Sequence, residues 1–325
     1  MTKLRWGLLS TARINRALIP AIRASQHGEL AAVASRDAGR AADYAREWEI
    51  PRAYGSYDAL LADPEIDVVY NALPNSLHSA WSLAALRAGK HVLCEKPFAL
   101  SVEDARAMFA AAREAGRVIA EAFMYRYHPR TRQLREQIEA GAIGAPRLLR
   151  ASFSFTLDRP ADPRWDLGLG GGALWDVGCY PVSLARYLFD EAPERVLAWQ
   201  QATERGVDET FVATLVHSGE RVAQFDCSFA APFRTHAEVV GSEGVITLAT
   251  PFRPDAAEAG LVLRRGDQTE TLPLADNPDR YLAEVEDLHA QILSGRAPGM
   301  PEAETIDNVA TILRLYAAAR GGGQD

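Results

Sequence analysis

GKHVLCEKPFAL, residues 89–100, is the stretch that decides the fold. The apolar run at 92–94 is too short for a helix and reads as a buried strand. It lies between two stretches of helical period, 76–88 and Val102–Ala115. Gly89 stands just after the first, where a helix-ending glycine is expected. Ser101 opens the second as an N-cap, with Asp104 three residues on approximating a capping box. Helix, strand, helix in this order implies a βαβ unit. Working outward, apolar runs recur at Leu4–Leu9, 30–34, 68–70 and 118–122, with another helical stretch at 38–48. Strands alternating with helices predict a doubly wound parallel sheet of Rossmann type.

The loop that ends this strand is Glu95-Lys96-Pro97. Loops at strand ends often carry chemistry. Pro97 has a fixed φ and no N–H, and it restricts Lys96 to extended geometry. A stiff turn results, open to a cis Lys96–Pro97 bond.

The chain has 325 residues, which suits two domains rather than one core. It is 48% hydrophobic and 24% charged, so a globular rather than disordered protein is expected. The net charge of −8 disfavours a phosphate-binding, nucleic-acid partner. Cys94, Cys179 and Cys227 are widely spaced and make neither a disulfide framework nor a zinc site. The seven histidines form no HxxxH or HExxH motif, so no metal site is expected. The first residues lack a signal-peptide core, and no run of about 18 apolar residues is present. A cytoplasmic protein without a membrane partner is the expectation.

After residue 123 the rhythm changes. Helices are predicted at 130–140, 173–189, 281–293 and 302–319. Strand-like runs occur at 196–201, 210–217, 222–229, 237–240, 245–249 and 261–264, separated by short polar or glycine turns. Consecutive strands without helices between them predict a mostly antiparallel open sheet, hence an α/β domain followed by an α+β domain. The boundaries are placed at 1–123 for dinucleotide binding and 124–325 for substrate binding and oligomerisation. The tail GGGQD, 321–325, is expected to fray.

Two strand ends bear on a cofactor. A dinucleotide fold places a glycine-rich turn after its first strand, so that backbone N–H groups approach a pyrophosphate at a helix N-terminus. Here Gly7 is the only glycine, and Ser10 and Ala12 are small substitutes; Thr11, Arg13 and Ile14 complete the turn. The alternative is an ordinary strand–helix turn. The second strand ends in Ser35-Arg36, with Arg40 beyond. Arginine suits the 2′-phosphate of NADP, whereas Asp37 keeps NAD open.

The fourth and fifth strands carry Pro74-Asn75, His78 and the GKHVLCEKP run. This pattern resembles the glucose–fructose oxidoreductase, inositol dehydrogenase and rhizopine catabolism (Gfo/Idh/MocA) family. EAFMYRYHP at 121–129 is similar to that family's domain junction, and GGGALWDVGCYPVSLARYL at 170–188 to its second catalytic motif. Within the family, the pattern is most similar to the branch of dimeric dihydrodiol dehydrogenase and NADP-dependent D-xylose dehydrogenases.

The resemblance implies an oxidoreductase that moves hydride between NADP, with NAD open, and a sugar or cyclic vicinal diol. It implies Lys96, Asp176 and Tyr180 as the catalytic set. The chemistry agrees: a phenol of pKa about 10 needs a nearby ammonium to act as a base near neutrality. Asp176 and Tyr180, four apart on a helix, face one side. Many family members have histidine where this chain has Tyr180, which leaves the proton carrier open between Tyr180 and Lys96.

Ser10, Ser35, Asn71, Leu73, Pro74, Asn75, His78, Glu95 and Lys96 follow the carboxyl ends of the proposed parallel strands, where cofactors bind. Asn75 is a candidate for the nicotinamide ribose or a plain helix cap, and His78 is a candidate structural residue. Tyr125, Arg126, Arg164, Trp165 and Tyr180 are the candidate substrate contacts; Phe153 and Phe155 are open to the same role but read as domain-interface packing. Family resemblance further implies a homodimer or homotetramer through the C-terminal sheet. A non-catalytic NADP-sensing protein, and a reductase of imine or pyrrole-type substrates, are the alternative functions.

Overall fold

The computed structural model describes residues 2–254, 260–274 and 279–321. Residues 322–325 of the tail lie outside the described residues. The chain divides into two compact units, one of 1–124 with 279–305, the other of 125–278 with 306–325.

The first unit holds six strands: β1 (Leu4–Leu9), β2 (Gly28–Ala34), β3 (Arg52–Tyr54), β4 (Val68–Asn71), β5 (His91–Glu95) and β6 (Ile119–Ala122). They lie in the order β3-β2-β1-β4-β5-β6, and every pairing is parallel. β4 is buried along its whole length and β1 nearly so, as a parallel sheet covered on both faces requires. The strand order reverses between β1 and β4, the switch point beyond which a crevice opens in such sheets. The helix Val102–Ala115 begins as expected: Ser101 Oγ accepts the Asp104 N–H at 3.0 Å and donates to the Asp104 carboxylate at 2.8 Å.

The second unit holds eight: β7 (Pro146–Ser154), β8 (Arg195–Ala202), β9 (Asp208–Val216), β10 (Val222–Ser228), β11 (Arg234–Gly241), β12 (Val245–Leu248), β13 (Leu261–Arg265) and β14 (Gln268–Leu272). Their order is β14-β13-β12-β11-β7-β10-β9-β8, antiparallel throughout except for the parallel pair β7–β10. β7, central to this sheet, is absent from the strands expected above. Arg147 and Arg150 break its apolar run in the sequence, but they sit on exposed positions while Leu149 and Ala151 between and beyond them are buried. Alternation across a strand puts Arg150 on the face opposite Leu149 and Ala151, whereas Arg147 shares their face and is exposed near the strand's start.

The helix expected over 173–189 is two elements, a π-helical turn Leu174–Gly178 and an α-helix Cys179–Phe189. Pro181 accounts for the break. It has no N–H for the carbonyl four residues back, at Val177, and its ring crowds that carbonyl. The preceding turn widens to the i→i+5 pattern, a feature frequent at functional sites.

The helix Arg280–Ser294 belongs to the first unit, whereas everything beyond 123 was expected in the second. A buried polar chain explains why. Trp6 Nε1 on β1 donates to His289 Nε2 at 3.0 Å, which makes Nδ1 the protonated ring nitrogen and a donor to Ser25 Oγ at 2.9 Å. Burial lowers the His289 pKa to about 4, so the ring is neutral as this chain requires. His91 and His217 are likewise lowered by burial to about 4.

A histidine near 4 when folded and about 6.5 when unfolded binds its proton first in the unfolded chain. Stability is therefore expected to fall as pH drops from about 6.5 to 4. Urea denaturation of His289→Gln across that window should show a slope shallower than the parent's by about 1 kcal/mol per pH unit. Identical slopes would show that His289 does not titrate this way.

Candidate active site

At the end of β1 the chain turns through Ser10, whose φ of +93° is a conformation usually left to glycine. Its hydroxyl accepts the Ala12 N–H at 3.2 Å and donates to the Ala72 carbonyl at 3.3 Å. Asn15, fully buried and not singled out from the sequence, donates its amide to the Ser10 carbonyl at 2.8 Å. Thr11, Ala12, Arg13 and Ile14 lead into the helix Asn15–Ala24, which has no side-chain cap and no acidic residue in its first turn. Such an N-terminus favours an anion. Gly7 serves another purpose: a Cβ there would stand 2.8 Å from Leu60 Cδ2, so it permits packing beneath the strand.

At the end of β2, Ser35 is buried and accepts the Asp37 N–H at 3.3 Å. Asp37 caps the helix Ala38–Glu47 by accepting the Arg40 N–H at 2.8 Å. Its carboxylate is thus engaged with backbone, while Arg36 and Arg40 are exposed. Two cations and a committed carboxylate fit a phosphorylated ribose better than a ribose diol.

The β4 and β5 loops are joined by buried polar groups. Asn71 donates to the His78 carbonyl and to Ser82 Oγ, both at 3.0 Å. His78 is fully buried between two carbonyls, Nε2 to Leu73 and Nδ1 to Pro97, both at 2.8 Å. Burial lowers its pKa and the nearby Lys96 adds to the lowering, while the two carbonyls, which the ring can satisfy together only with both nitrogens protonated, act to raise it. Pro74 leads into the short 3-10 turn Asn75–Leu77, which Asn75 starts without acting as its cap.

The Lys96–Pro97 bond is cis. Glu95 accepts the Tyr70 hydroxyl on one oxygen and the Lys96 N–H, at 3.2 Å, on the other. Glu121 accepts the Phe98 N–H at 3.0 Å. Lys96, half-buried, stands on a turn whose backbone is held from both sides. Tyr70 and Glu121 were not foreseen as supports; each lies within a strand, and only the register of the sheet brings it to this loop.

In the second unit, Arg164 joins two carboxylates. It meets Asp162 through Nε at 2.8 Å and Nη2 at 3.0 Å, and Asp176 through Nη1 at 3.1 Å. Burial would lower the Arg164 pKa, but the two carboxylates outweigh it and hold it above its ordinary value. Burial would raise Asp162, yet Arg164 holds it low. Arg164 reaches Asp176 because its loop packs against the glycine triplet. A Cβ on Gly171 would stand 2.4 Å from the Arg164 carbonyl oxygen.

Tyr180 is 5% exposed and packs against the rings of Tyr125, Phe153 and Phe252 at 5.7, 5.3 and 5.4 Å between centroids. Phe153 is buried and stacked on Phe252 at 5.7 Å. Tyr125 is fully buried and donates to Ser183 Oγ at 2.9 Å. The buried Arg126 guanidinium lies 3.7 Å from the centre of the Tyr187 ring. Trp165 is half-buried, its ring edge-on to Phe229 at 5.2 Å, and Arg164 sits 5.2 Å from the half-buried Phe155 ring. The second unit therefore gathers Arg164, Asp176 and Tyr180 among aromatic rings. No group of histidine, cysteine and carboxylate residues able to hold a metal occurs among the described residues.

Residues 4–123 match the family model described as an oxidoreductase family with an NAD-binding Rossmann fold. Residues 131–247 match the GFO/IDH/MocA C-terminal domain. The chain is 39% identical over 320 residues, 98% of each chain, to a D-xylose 1-dehydrogenase (NADP(+)) of Haloferax volcanii. It is 39% identical to a trans-1,2-dihydrobenzene-1,2-diol dehydrogenase of Danio rerio over 75% of this chain and 73% of that one. A crystal structure of a 3-ketoreductase from Actinomadura kijaniata, in complex with NADP and TDP-benzene, superposes with a TM-score of 0.90 at 31% identity and 98% coverage of both chains. With both domains matched in order and the likeness running through the whole chain, this protein belongs to the Gfo/Idh/MocA oxidoreductase family.

Proposed function

We propose that this chain is an NADP-dependent oxidoreductase that interconverts an alcohol and a carbonyl on a sugar or cyclic vicinal diol. The observation that carries it is the end-to-end identity with an NADP-dependent xylose dehydrogenase, joined to a β2 end at which Asp37 is spent on a helix cap and Arg36 and Arg40 stand exposed. Those arginines would hold the 2′-phosphate. The uncapped helix after Ser10 would hold the pyrophosphate. When bound, the nicotinamide supplies the hydride donor or acceptor.

The chain's own residues manage the proton and orient the substrate. Tyr180 takes the carbinol proton on oxidation and returns it on reduction. Lys96 presents an ammonium to the reacting oxygen, which favours the developing negative charge there. Asp176 acts through Arg164, its ion-pair partner. The half-buried aromatic and guanidinium surface of Arg164 and Trp165 suits the apolar face and hydroxyls of a ring polyol.

Lys96→Met and Tyr180→Phe should each lower kcat by about a thousandfold, the scale of a lost acid–base group, with NADPH affinity kept. The assay is NADPH absorbance over a panel of aldoses, polyols and cyclic diols. Near-parental turnover by Lys96→Met would remove it from the mechanism. Cofactor binding with no turnover of any panel member would instead favour a sensing role. Arg36→Ala should weaken NADPH binding by about tenfold to a hundredfold, the worth of a charge-assisted contact, and leave NADH nearly unchanged. Equal affinity of the parent for both cofactors would contradict the 2′-phosphate assignment.

The open face of the eight-stranded sheet is the proposed subunit interface. Leu197, Trp199 and Val212 are exposed on β8 and β9, and Trp199 pairs directly with Val212. The opposite face of β9 buries Phe211, Ala213 and Leu215. A contiguous exposed apolar face of this kind marks an interaction surface. A homodimer or homotetramer should sediment at micromolar concentration, and Trp199→Lys should yield a monomer. A monomeric parent would rule the interface out.

A further inference from the structure

The π-helical turn that bears Asp176 is pinned at its start by a carboxylate from another part of the sequence. Asp208, the first residue of β9, is 2% exposed. Its Oδ2 accepts the Leu174 N–H at 2.7 Å, and its Oδ1 accepts the Tyr316 hydroxyl at 2.7 Å. Gly172, at a φ of +128°, makes room for this contact. A Cβ there would stand 2.1 Å from Asp208 Oδ1 and 2.8 Å from the Tyr316 hydroxyl. Tyr316 is wedged between the rings of Trp175 and Phe211, with centroids at 5.8 and 5.6 Å. The last glycine of the triplet, the turn, β9 and the C-terminal helix thus meet at one carboxylate.

We propose that Asp208 and Tyr316 are positioning residues for catalysis, which set the Leu174–Gly178 turn and with it the placement of Asp176 and of Tyr180 on the helix that follows. This rests on the reading of Asp176 and Tyr180 as catalytic. An ordinary helix cap would need only a surface serine or aspartate. Here a carboxylate is buried, backed by a phenol from a distant helix, and aimed at the N-terminus of the turn that carries Asp176 and leads into the helix that carries Tyr180. Misplacing catalytic groups by about 1 Å costs on the order of a hundredfold in rate.

The pin also responds to pH. Burial raises the Asp208 pKa to about 6, against the backbone N–H groups of Leu174 and Ala173 and the Tyr316 hydroxyl, which hold it down. The other titratable groups beside it are Tyr316 and the thiol of Cys227 on β10, both pushed well above their ordinary values by burial and so neutral. Above pH 6 the carboxylate accepts both contacts. Below it, the added proton occupies one oxygen and the pin loosens.

The test measures kcat against pH, NADPH affinity and thermal stability for the parent, Asp208→Asn, Tyr316→Phe and Lys96→Met. The parent should show an acid limb in kcat near pH 6. Asp208→Asn should lose about tenfold to a hundredfold in kcat at pH 7.5, lack that limb and bind NADPH as the parent does. Tyr316→Phe, which removes only a hydroxyl, should lose about tenfold and shift the limb; it decides the matter if Asp208→Asn does not fold. Parental kcat and a parental pH profile in the variants, whatever their melting temperatures, would reduce Asp208 to a structural cap and overturn the inference. Lys96→Met separates the two levels: if it is inactive while both positioning variants match the parent, only this inference fails; if it is active, the catalytic reading itself fails.

Discussion

A parallel sheet covered on both faces leaves its chemistry one place to go, the edge where the strands end. β1, β2, β4 and β5 are hydrophobic along nearly their whole length, so polar side chains collect at their carboxyl termini. There they are partly buried and must be paired, because an unpaired buried polar group costs about 1–3 kcal/mol. The chain meets this with short internal ties: Asn71 to the helix below it, His78 between two loops, and Glu95 to Tyr70 and the backbone of Lys96. The same ties that satisfy buried groups also immobilise the loops. Rigidity of the Lys96 turn is therefore a consequence of burying the sheet rather than a separate feature.

The second unit reaches a similar end by different means. Its sheet faces solvent on one side and buries the other. The turn that carries Asp176 is instead laid on the sheet and held by close backbone approach. Gly171 admits the Arg164 loop and Gly172 admits Asp208, contacts that any side chain would block. Arg164 then balances Asp162 and Asp176, and aromatic rings enclose Tyr180. Charge is concentrated at Arg164 and its partners, beside the rings of Phe155 and Phe229.

Much of this was legible from residue patterns because it is local. Gly89 and Ser101 punctuate helices through their own backbone preferences, and Pro97 restricts only its neighbours. Arg36 and Asp37 stand at a strand end that periodicity alone locates. Other features were not legible because they depend on who the neighbours are. β7 reads as a broken apolar run until its partners β10 and β11 are known. The helix Arg280–Ser294 is sequentially remote from β1 and meets it through the buried Trp6–His289 contact. The break in the helix before Pro181 could have been suspected from the proline, but its π form depends on what holds the turn at its start.

What the sequence by itself determined was the order of most elements and the family, and it named the proposed reactive side chains, since each follows from periodicity, turn chemistry or a contiguous motif. What the tertiary structure alone decided was how those side chains are supported. Tyr70, Glu121, Asp208 and Tyr316 lie outside the local signatures of the residues they support. The physical reason is that a hydrogen bond between remote segments is specified by the packing that brings them together. No single stretch of sequence contains both of its partners.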